Sequence, residues 1–198
     1  AHNGSIIPVP GRDIFAQAWY QGGLSIIDFT DSANPVEIAY FDRGPIHEDH
    51  LILGGYWSTY WYDGMIYGTE IARGMDVFEL VPSEHLTENE IAAARIADQG
   101  ELFNPQQQFR VTWPAEPVVA RAYMDQLNRA DALSAAMNDD LSELLVRAEV
   151  HLADGDSDRR LARELETVAE AIGDGDGAAP KQRAGLAETL GGIAARLR

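Results

Sequence analysis

The segment IFAQAWYQGGLSIIDF (residues 14–29) recurs 51 positions later as MIYGTEIARGMDVFEL (residues 65–80). In the same register Gly4 aligns with Gly55, and Gly23 aligns with Gly74. Apolar positions also correspond in the second half of the segment: Leu24, Ile26, Ile27 and Phe29 align with Met75, Val77, Phe78 and Leu80. Self-similarity at a fixed offset indicates a repeated structural unit of about fifty residues.

Each copy is a series of short apolar and aromatic runs separated by turn residues, a pattern typical of β-strands. The first copy predicts four strands, at 5–9, 14–19, 24–29 and 36–41. The second copy predicts three strands, at 56–62, 65–71 and 75–80. Pro82 interrupts the pattern where a fourth strand is due, so the second antiparallel meander is one strand short.

Four antiparallel strands in a repeat of this length are typical of β-propeller blades. We therefore predict two blades at residues 1–81, the second lacking its fourth strand. Propellers close with about four to eight blades. We expect the missing blades, and the strand that completes the last one, in N-terminal sequence of a longer parent chain. Without them, exposed blade faces favour self-association.

The sequence after Pro82 has helical periodicity. Residues 82–116 contain one short helix, in which Thr87 and Glu90 are spaced as a capping box, and a linker with an extended segment at 109–113. Four apolar stripes with helical period at 117–198 predict an α-helical bundle. The expected fold class is α+β multidomain, with two antiparallel propeller blades followed by a small α-helical bundle.

Composition restricts the classes of partner. The chain has 32 acidic and 15 basic side chains and a net charge of -17, which repels nucleic-acid phosphates and anionic membrane surfaces. Cysteine is absent, so disulfides and thiolate metal sites are excluded. No apolar run spans a bilayer, and no segment has the pattern of a signal peptide. We expect no nucleic-acid partner, no membrane span and no cofactor.

The first copy also resembles a known family. Residues 17–41, QAWYQGGLSIIDFTDSANPVEIAYF, have a strand that ends in Asp, a short turn and then Asn-Pro, and are similar to LVIVD-repeat proteins. Residues 67–78, YGTEIARGMDVF, resemble the closing repeat of that family without its Asp-x-x-x-Pro tail. The family consists of secreted or surface-attached bacterial β-propellers without agreed catalytic residues, so the resemblance implies an extracellular or cell-surface location. The helical region resembles the FIMAH domains of bacterial surface and secreted proteins.

Four residues are candidates for a binding site on a propeller face. His2 and Asn3 precede the first strand, and Glu70 and Arg73 lie at the end of a strand in the second copy. In a propeller, loops from several blades converge at the axis. For Glu70 and Arg73, an inter-blade ion pair is the alternative interpretation.

Two other clusters resemble metal sites. His47 and His50 are weak metal candidates because they lie in a loop and lack the HExxH spacing. The run DGDSD at 154–158 begins like a calcium loop, but Arg159 and Leu165 stand where that loop needs Gly and Glu. We therefore predict no metal site, and a helix-capping turn at 154–158.

Aromatic side chains are dense in the second copy. Alternation along 56–62 assigns Trp57 and Trp61 to one face of the strand and Tyr60 and Tyr62 to the other, which favours packing between blades over carbohydrate stacking.

The sequence contains no nucleophile triad, phosphate-binding loop or paired-carboxylate motif, so the catalytic residues are unknown. Our leading hypothesis is a non-enzymatic binding or scaffold module of a secreted or cell-surface bacterial protein, with a protein or a surface polymer as partner. The alternative is an extracellular hydrolase or lyase whose catalytic groups line the propeller axis, mostly outside this chain.

Overall fold

The computed structural model describes residues 1–100, 110–173 and 178–198. They fold as two compact units. Residues 1–86 contain all the described strands, and residues 87–98 with 112–198 contain all the described helices. The predicted α+β class is confirmed, since two antiparallel sheets are followed by a helical region.

The first sheet has four strands in sequence order, each antiparallel to the next. They are β1 (Gly4–Ile7), β2 (Ile14–Ala18), β3 (Leu24–Asp28) and β4 (Val36–Phe41). Ser5 pairs with Ala16, and Ala16 pairs with Ile26, so these three side chains lie on one face. Ala16 and Ile26 are at most 2% exposed, which identifies this face as the buried one.

The second sheet has three strands, in the order β5 (Tyr56–Tyr62), β6 (Met65–Glu70) and β7 (Gly74–Phe78). β6 begins 51 residues after β2, and β7 begins within one residue of the same offset from β3. The repeat read from the sequence is therefore a structural repeat. The predicted difference of one strand between the two sheets is also confirmed.

The first strands of the two sheets, β1 and β5, lie side by side. The Thr59 hydroxyl donates to the carbonyl oxygen of Ala16 at 3.0 Å, and the backbone N–H of Trp61 donates to the Ser5 hydroxyl at 2.7 Å. Trp61 is 1% exposed, so these bonds are made in a dry interior, where an unmade bond is costly. This packing places β1 along β5, and His2, which precedes β1, reaches the start of β5 at Trp57.

The second unit contains five helices among the described residues. They are α1 (Glu88–Arg95), α2 (Pro117–Arg129), α3 (Ala135–Asp154), α4 (Arg159–Gly173) and α5 (Pro180–Arg196). The predicted stripes form the core, as Leu127, Leu145, Leu165 and Leu190 are each 0% exposed. Ala93 of α1 belongs to the same core, so the short helix packs with the bundle.

Polar side chains begin three of these helices. Thr87 and Glu90 form the predicted capping box of α1. Ser134 accepts the N–H of the third residue of α3 at 3.3 Å. Asp158 accepts two N–H groups in the first turn of α4 at 2.9 Å each, so a helix-capping role for the acidic turn is confirmed.

The predicted extended segment 109–113 lies partly outside the described residues. In its described part, Thr112 forms an isolated antiparallel bridge with Asp98. None of the described helices combines the length and the apolar character that crossing a bilayer requires.

Candidate binding site

A β-bulge near the start of β5 decides where Trp57 points. Tyr56 pairs with Glu70, but Ser58 pairs with the residue directly before Glu70, so β5 contains one extra residue. Trp57 is that residue, and its side chain is 47% exposed while that of Trp61 is 1% exposed. The prediction that Trp57 and Trp61 share one face of the strand is wrong, because alternation fails at the bulge.

Three rings meet beside this bulge, and we call His2, Tyr20 and Trp57 the aromatic platform. The centroid of the His2 ring lies 4.3 Å from that of Trp57 and 5.1 Å from that of Tyr20. The Tyr20 and Trp57 rings are 5.7 Å apart and nearly perpendicular, at 87°. These are favourable aromatic separations. Since Trp57 is about half exposed, the platform presents aromatic surface on which a ligand can stack.

Hydrogen bonds fix the His2 ring and backbone. The Nδ1 atom of His2 lies 2.5 Å from the carbonyl oxygen of Trp57. A carbonyl only accepts, so Nδ1 carries the hydrogen and Nε2 is the acceptor of the neutral ring. The backbone N–H of His2 donates to the Ala18 carbonyl oxygen at 2.8 Å, and its own carbonyl accepts from the Gln17 side chain at 2.8 Å. His2 is therefore anchored to both sheets.

Tyr20 holds a backbone conformation that most residues avoid. Its φ is +53°, in the left-handed region, where a side chain costs about 1–2 kcal/mol. Two backbone hydrogen bonds between Tyr20 and Tyr56, at 3.1 Å each, maintain the conformation. The pairing requires glycine at Gly55, where a Cβ would lie 1.6 Å from the Tyr20 carbonyl oxygen. Strain maintained in this way is typical of functional sites.

Glu70 supports the segment that leads into the bulge. Its carboxylate accepts the N–H of Gly55 at 2.6 Å and of Ala72 at 2.8 Å, and it also accepts the N–H of Arg73. Burial alone would raise the pKa of Glu70, but the three amide donors and the positive charge of Arg73 outweigh burial and lower the pKa below its usual range. Glu70 is 5% exposed, so it acts by holding backbone rather than by touching a ligand.

The four predicted site residues thus have different surroundings. His2 is part of the aromatic platform, and Asn3 donates from its amide to the Tyr60 hydroxyl at 3.3 Å nearby. Glu70 is buried and binds the backbone of Gly55, which leads into the bulge. The Arg73 guanidinium donates to the carbonyl oxygen of Pro45 at 3.1 Å, while its N–H is bound by Glu70. The inter-blade ion pair considered for these two residues does not form, because the Glu70 carboxylate binds backbone amides within its own sheet and the preceding loop.

Tyr20 is a site residue that the sequence did not indicate, and Trp57 is one for which packing between blades was preferred to carbohydrate stacking. The Gln21-Gly22-Gly23 turn marks a tight connection after Tyr20, but not the sign of the Tyr20 φ angle. The bulge at Trp57 has no Gly or Pro inside the strand to mark it. Both features arise from pairing between segments far apart in the chain.

The weak metal candidates stack on each other instead of converging on a common point. The rings of His47 and His50 are 4.5 Å apart at 29°, and His47 Nδ1 accepts the N–H of Asp49 at 3.0 Å. Within residues 1–100, 110–173 and 178–198, no three His, Asp or Glu side chains are grouped as metal ligands.

Comparisons with known proteins give no match: no protein-family model, curated protein or solved structure is similar to this chain. The class of this protein is therefore defined only by its fold and its site. It is an α+β protein with two antiparallel sheets, a helical region and an exposed aromatic platform where the two sheets begin.

Proposed function

We propose that this chain is a non-enzymatic binding module of a secreted or cell-surface bacterial protein, and that the aromatic platform is its contact surface. The observation that carries the proposal is the exposed Trp57 ring, held by a strained backbone and a buried carboxylate. Such support costs stability and is retained where a surface must keep its shape to bind. The extracellular or cell-surface location rests on the resemblance to LVIVD-repeat proteins.

We interpret the two sheets as neighbouring blades of a β-propeller. The support is the 51-residue repeat, the sequential strand order within each sheet, and the packing of β1 beside β5. The innermost strands of propeller blades line the central channel. On this interpretation the platform, which lies at the starts of β1 and β5, is close to the propeller axis.

The proposed partner is a protein or a surface polymer, and the platform favours a polymer of sugar rings. The apolar face of a sugar ring stacks on an aromatic ring, and its hydroxyl groups need hydrogen-bonding neighbours. Asn3 and Tyr60 provide an amide and a hydroxyl beside the platform. The net charge of -17 disfavours anionic polymers, so a neutral or basic glycan is the expected ligand.

Co-sedimentation with insoluble cellulose and chitin tests this proposal. We expect the intact chain to be retained on at least one polymer, and Trp57→Ala to reduce the affinity about tenfold or more, as loss of a central aromatic contact does. Tyr62→Ala is the matched control, because Tyr62 is on the same strand and 50% exposed but outside the platform.

Three results contradict the proposal. Lack of retention on both polymers rules out a polymer of sugar rings as the ligand. Equal retention of the Trp57→Ala and Tyr62→Ala variants rules out the platform as the contact surface. Release of soluble sugar from the polymer over time favours the alternative, an extracellular hydrolase or lyase.

A further inference from the structure

The repeat places equivalent residues of the two sheets in opposite environments. On the first sheet, one face is buried against the second sheet, and its members are Ile14, Ala16, Ala18, Leu24 and Ile26. Shifted by 51 residues, these positions become Met65, Tyr67, Thr69, Met75 and Val77, which we call the outer face of the second sheet. Met75 is 61% exposed and Val77 is 52% exposed.

The register of the second sheet confirms that these side chains share a face. Tyr67 is paired with Val77, and Thr69 is paired with Met75, so the pairs project to the same side. Residues between them, such as Ile66, project to the opposite side and are buried. None of these five positions is charged, and the only carboxylate related to them by the offset is Glu79, the equivalent of Asp28, which is opposite Ile14. A half-exposed sheet face that is mainly apolar is typical of an interface.

The first sheet has a second face too, which the repeat relates to the buried face of the second sheet. We call Ile6, Phe15 and Ile27 the outer face of the first sheet, because Phe15 is paired with both Ile6 and Ile27. Phe15 and Ile27 are equivalent to Ile66 and Phe78, which pack toward the first sheet. Ile6 is 44% exposed.

The contact between the two sheets of one chain is therefore head to tail. The buried face of the first sheet meets the buried face of the second, and each of these faces has an exposed equivalent on the other sheet. The apolar residues of the two exposed faces thus match each other in position, and each face also has one carboxylate, Glu37 opposite Ile27 and Glu79 after Val77. Two surfaces related in this way continue an existing interface from one molecule to the next.

We propose that a second copy of this chain docks its first-sheet outer face on the second-sheet outer face of its neighbour, repeating the contact that joins the sheets within one chain. Heterologous contacts of this kind close into a ring when the rotation allows. Closed propellers have about four to eight blades, so a ring formed by copies of residues 1–198 alone contains about two to four of them. The inference uses the blade interpretation of the sheets but is independent of the aromatic platform.

Analytical ultracentrifugation of the full chain and of two single variants tests this contact. Val77→Lys puts a charge on the outer face of the second sheet, and Ile6→Lys puts one on the outer face of the first. A buried charge without a partner is costly, so each variant is expected to be monomeric where the unmodified chain assembles. Val150→Lys is the matched control, because Val150 is 58% exposed on α3, in the helical unit. It is expected to assemble as the unmodified chain does.

Mixing the two variants distinguishes a head-to-tail contact from a face-to-face one. Each variant keeps one intact outer face, so an equimolar mixture forms one-to-one pairs that cannot grow. A monomeric unmodified chain overturns the proposal, as does an assembly that neither variant changes. Assembly that survives Ile6→Lys but not Val77→Lys also overturns it, because that result indicates two identical faces in contact.

Circular dichroism checks that the variants are folded. Where a lysine prevents folding, Val77→Thr and Ile6→Thr replace the lysine variants, since threonine keeps the β-branch and weakens apolar contact. The threonine variants are expected to shift the monomer–assembly equilibrium toward monomer by about tenfold each, and an unshifted equilibrium overturns the proposal. Trp57→Ala is expected to assemble normally, so failure of the platform and failure of this contact are separate results.

Discussion

Gly23 in the first sheet and Gly74 in the second are equivalent positions of the repeat, and both have positive φ, at +77° and +99°. Their surroundings differ. A Cβ on Gly23 would lie 2.1 Å from the carbonyl oxygen of Phe41 in β4, whereas a Cβ on Gly74 would meet no atom within 4 Å. The second sheet has no fourth strand among the described residues to crowd this turn. The same glycine turn is thus crowded by a neighbouring strand in the first sheet and uncrowded in the second.

Equivalent positions share the properties that the repeat itself encodes and differ in those that depend on neighbouring strands. Strand positions, turn glycines and the side to which each residue points are local properties, and they recur at the offset of 51. Burial is not local, as Ile26 at 2% exposed and Val77 at 52% exposed demonstrate. A substitution at one position of the repeat should therefore have very different costs in the two sheets.

The largest difference is expected for alanine at the two turn glycines. Gly23→Ala should destabilise the sheet unit by about 3 kcal/mol or more, since the Cβ meets backbone that cannot rotate away. Gly74→Ala should cost about 1–2 kcal/mol, the strain of the left-handed conformation alone. Denaturant unfolding followed by tryptophan fluorescence measures both, because three of the four Trp residues are in the sheet unit. Equal losses would indicate that a neighbour also crowds Gly74.

A smaller difference is expected for truncation of equivalent apolar side chains. Ile26→Ala should cost about 2–4 kcal/mol, because it leaves a cavity in a buried face. Val77→Ala should change the stability of a dilute sample by less than about 0.5 kcal/mol. The same fluorescence titration at low protein concentration measures both variants. A loss above about 1 kcal/mol for Val77→Ala in a monomeric sample would contradict the exposure of the outer face.

Most of the fold was predictable because its determinants are local. The strands of both sheets were predictable from the repeat offset, and the helices of the bundle from the spacing of apolar residues. Leu145 and Leu190 are fully buried, as the apolar stripes predict. The caps at Thr87 and Asp158 were predictable for the same reason, since each depends on residues three positions apart.

The site was predictable only in part. His2 and Asn3 were indicated by their place before the first strand, but the residues that make His2 part of a platform were not. Trp57 depends on a bulge set by the register between β5 and β6, and Tyr20 depends on two hydrogen bonds to a strand 36 residues away in sequence. Alternation assumes regular pairing, so it gives the wrong face wherever a strand contains an extra residue.

The two sheets close the turn before their third strand in different ways. In the first sheet, backbone hydrogen bonds close the turn, including Trp19 N–H to the Gly23 carbonyl oxygen at 3.0 Å. At the position equivalent to Trp19, the second sheet has Glu70, which accepts N–H groups of the turn with its carboxylate. Glu70→Gln replaces an acceptor by an NH₂ group facing those donors and should cost about 1–3 kcal/mol near neutral pH.

This cost should depend on pH, because the pKa of Glu70 is lowered in the folded protein. A lowered pKa means that the unfolded chain binds the proton first as the pH falls. The stabilisation from the carboxylate is therefore complete above the unfolded pKa of about 4.3 and is lost as the pH falls through the folded pKa. Unfolding curves of the intact chain and of Glu70→Gln should differ by a constant amount above the unfolded pKa and converge as the pH falls below it, through the range in which the carboxylate becomes protonated. Glu48→Gln, in an exposed loop, is the control and should follow the intact chain at every pH. A gap between the intact chain and Glu70→Gln that stays constant over this range would mean that the second sheet, like the first, closes its turn without help from ionised Glu70.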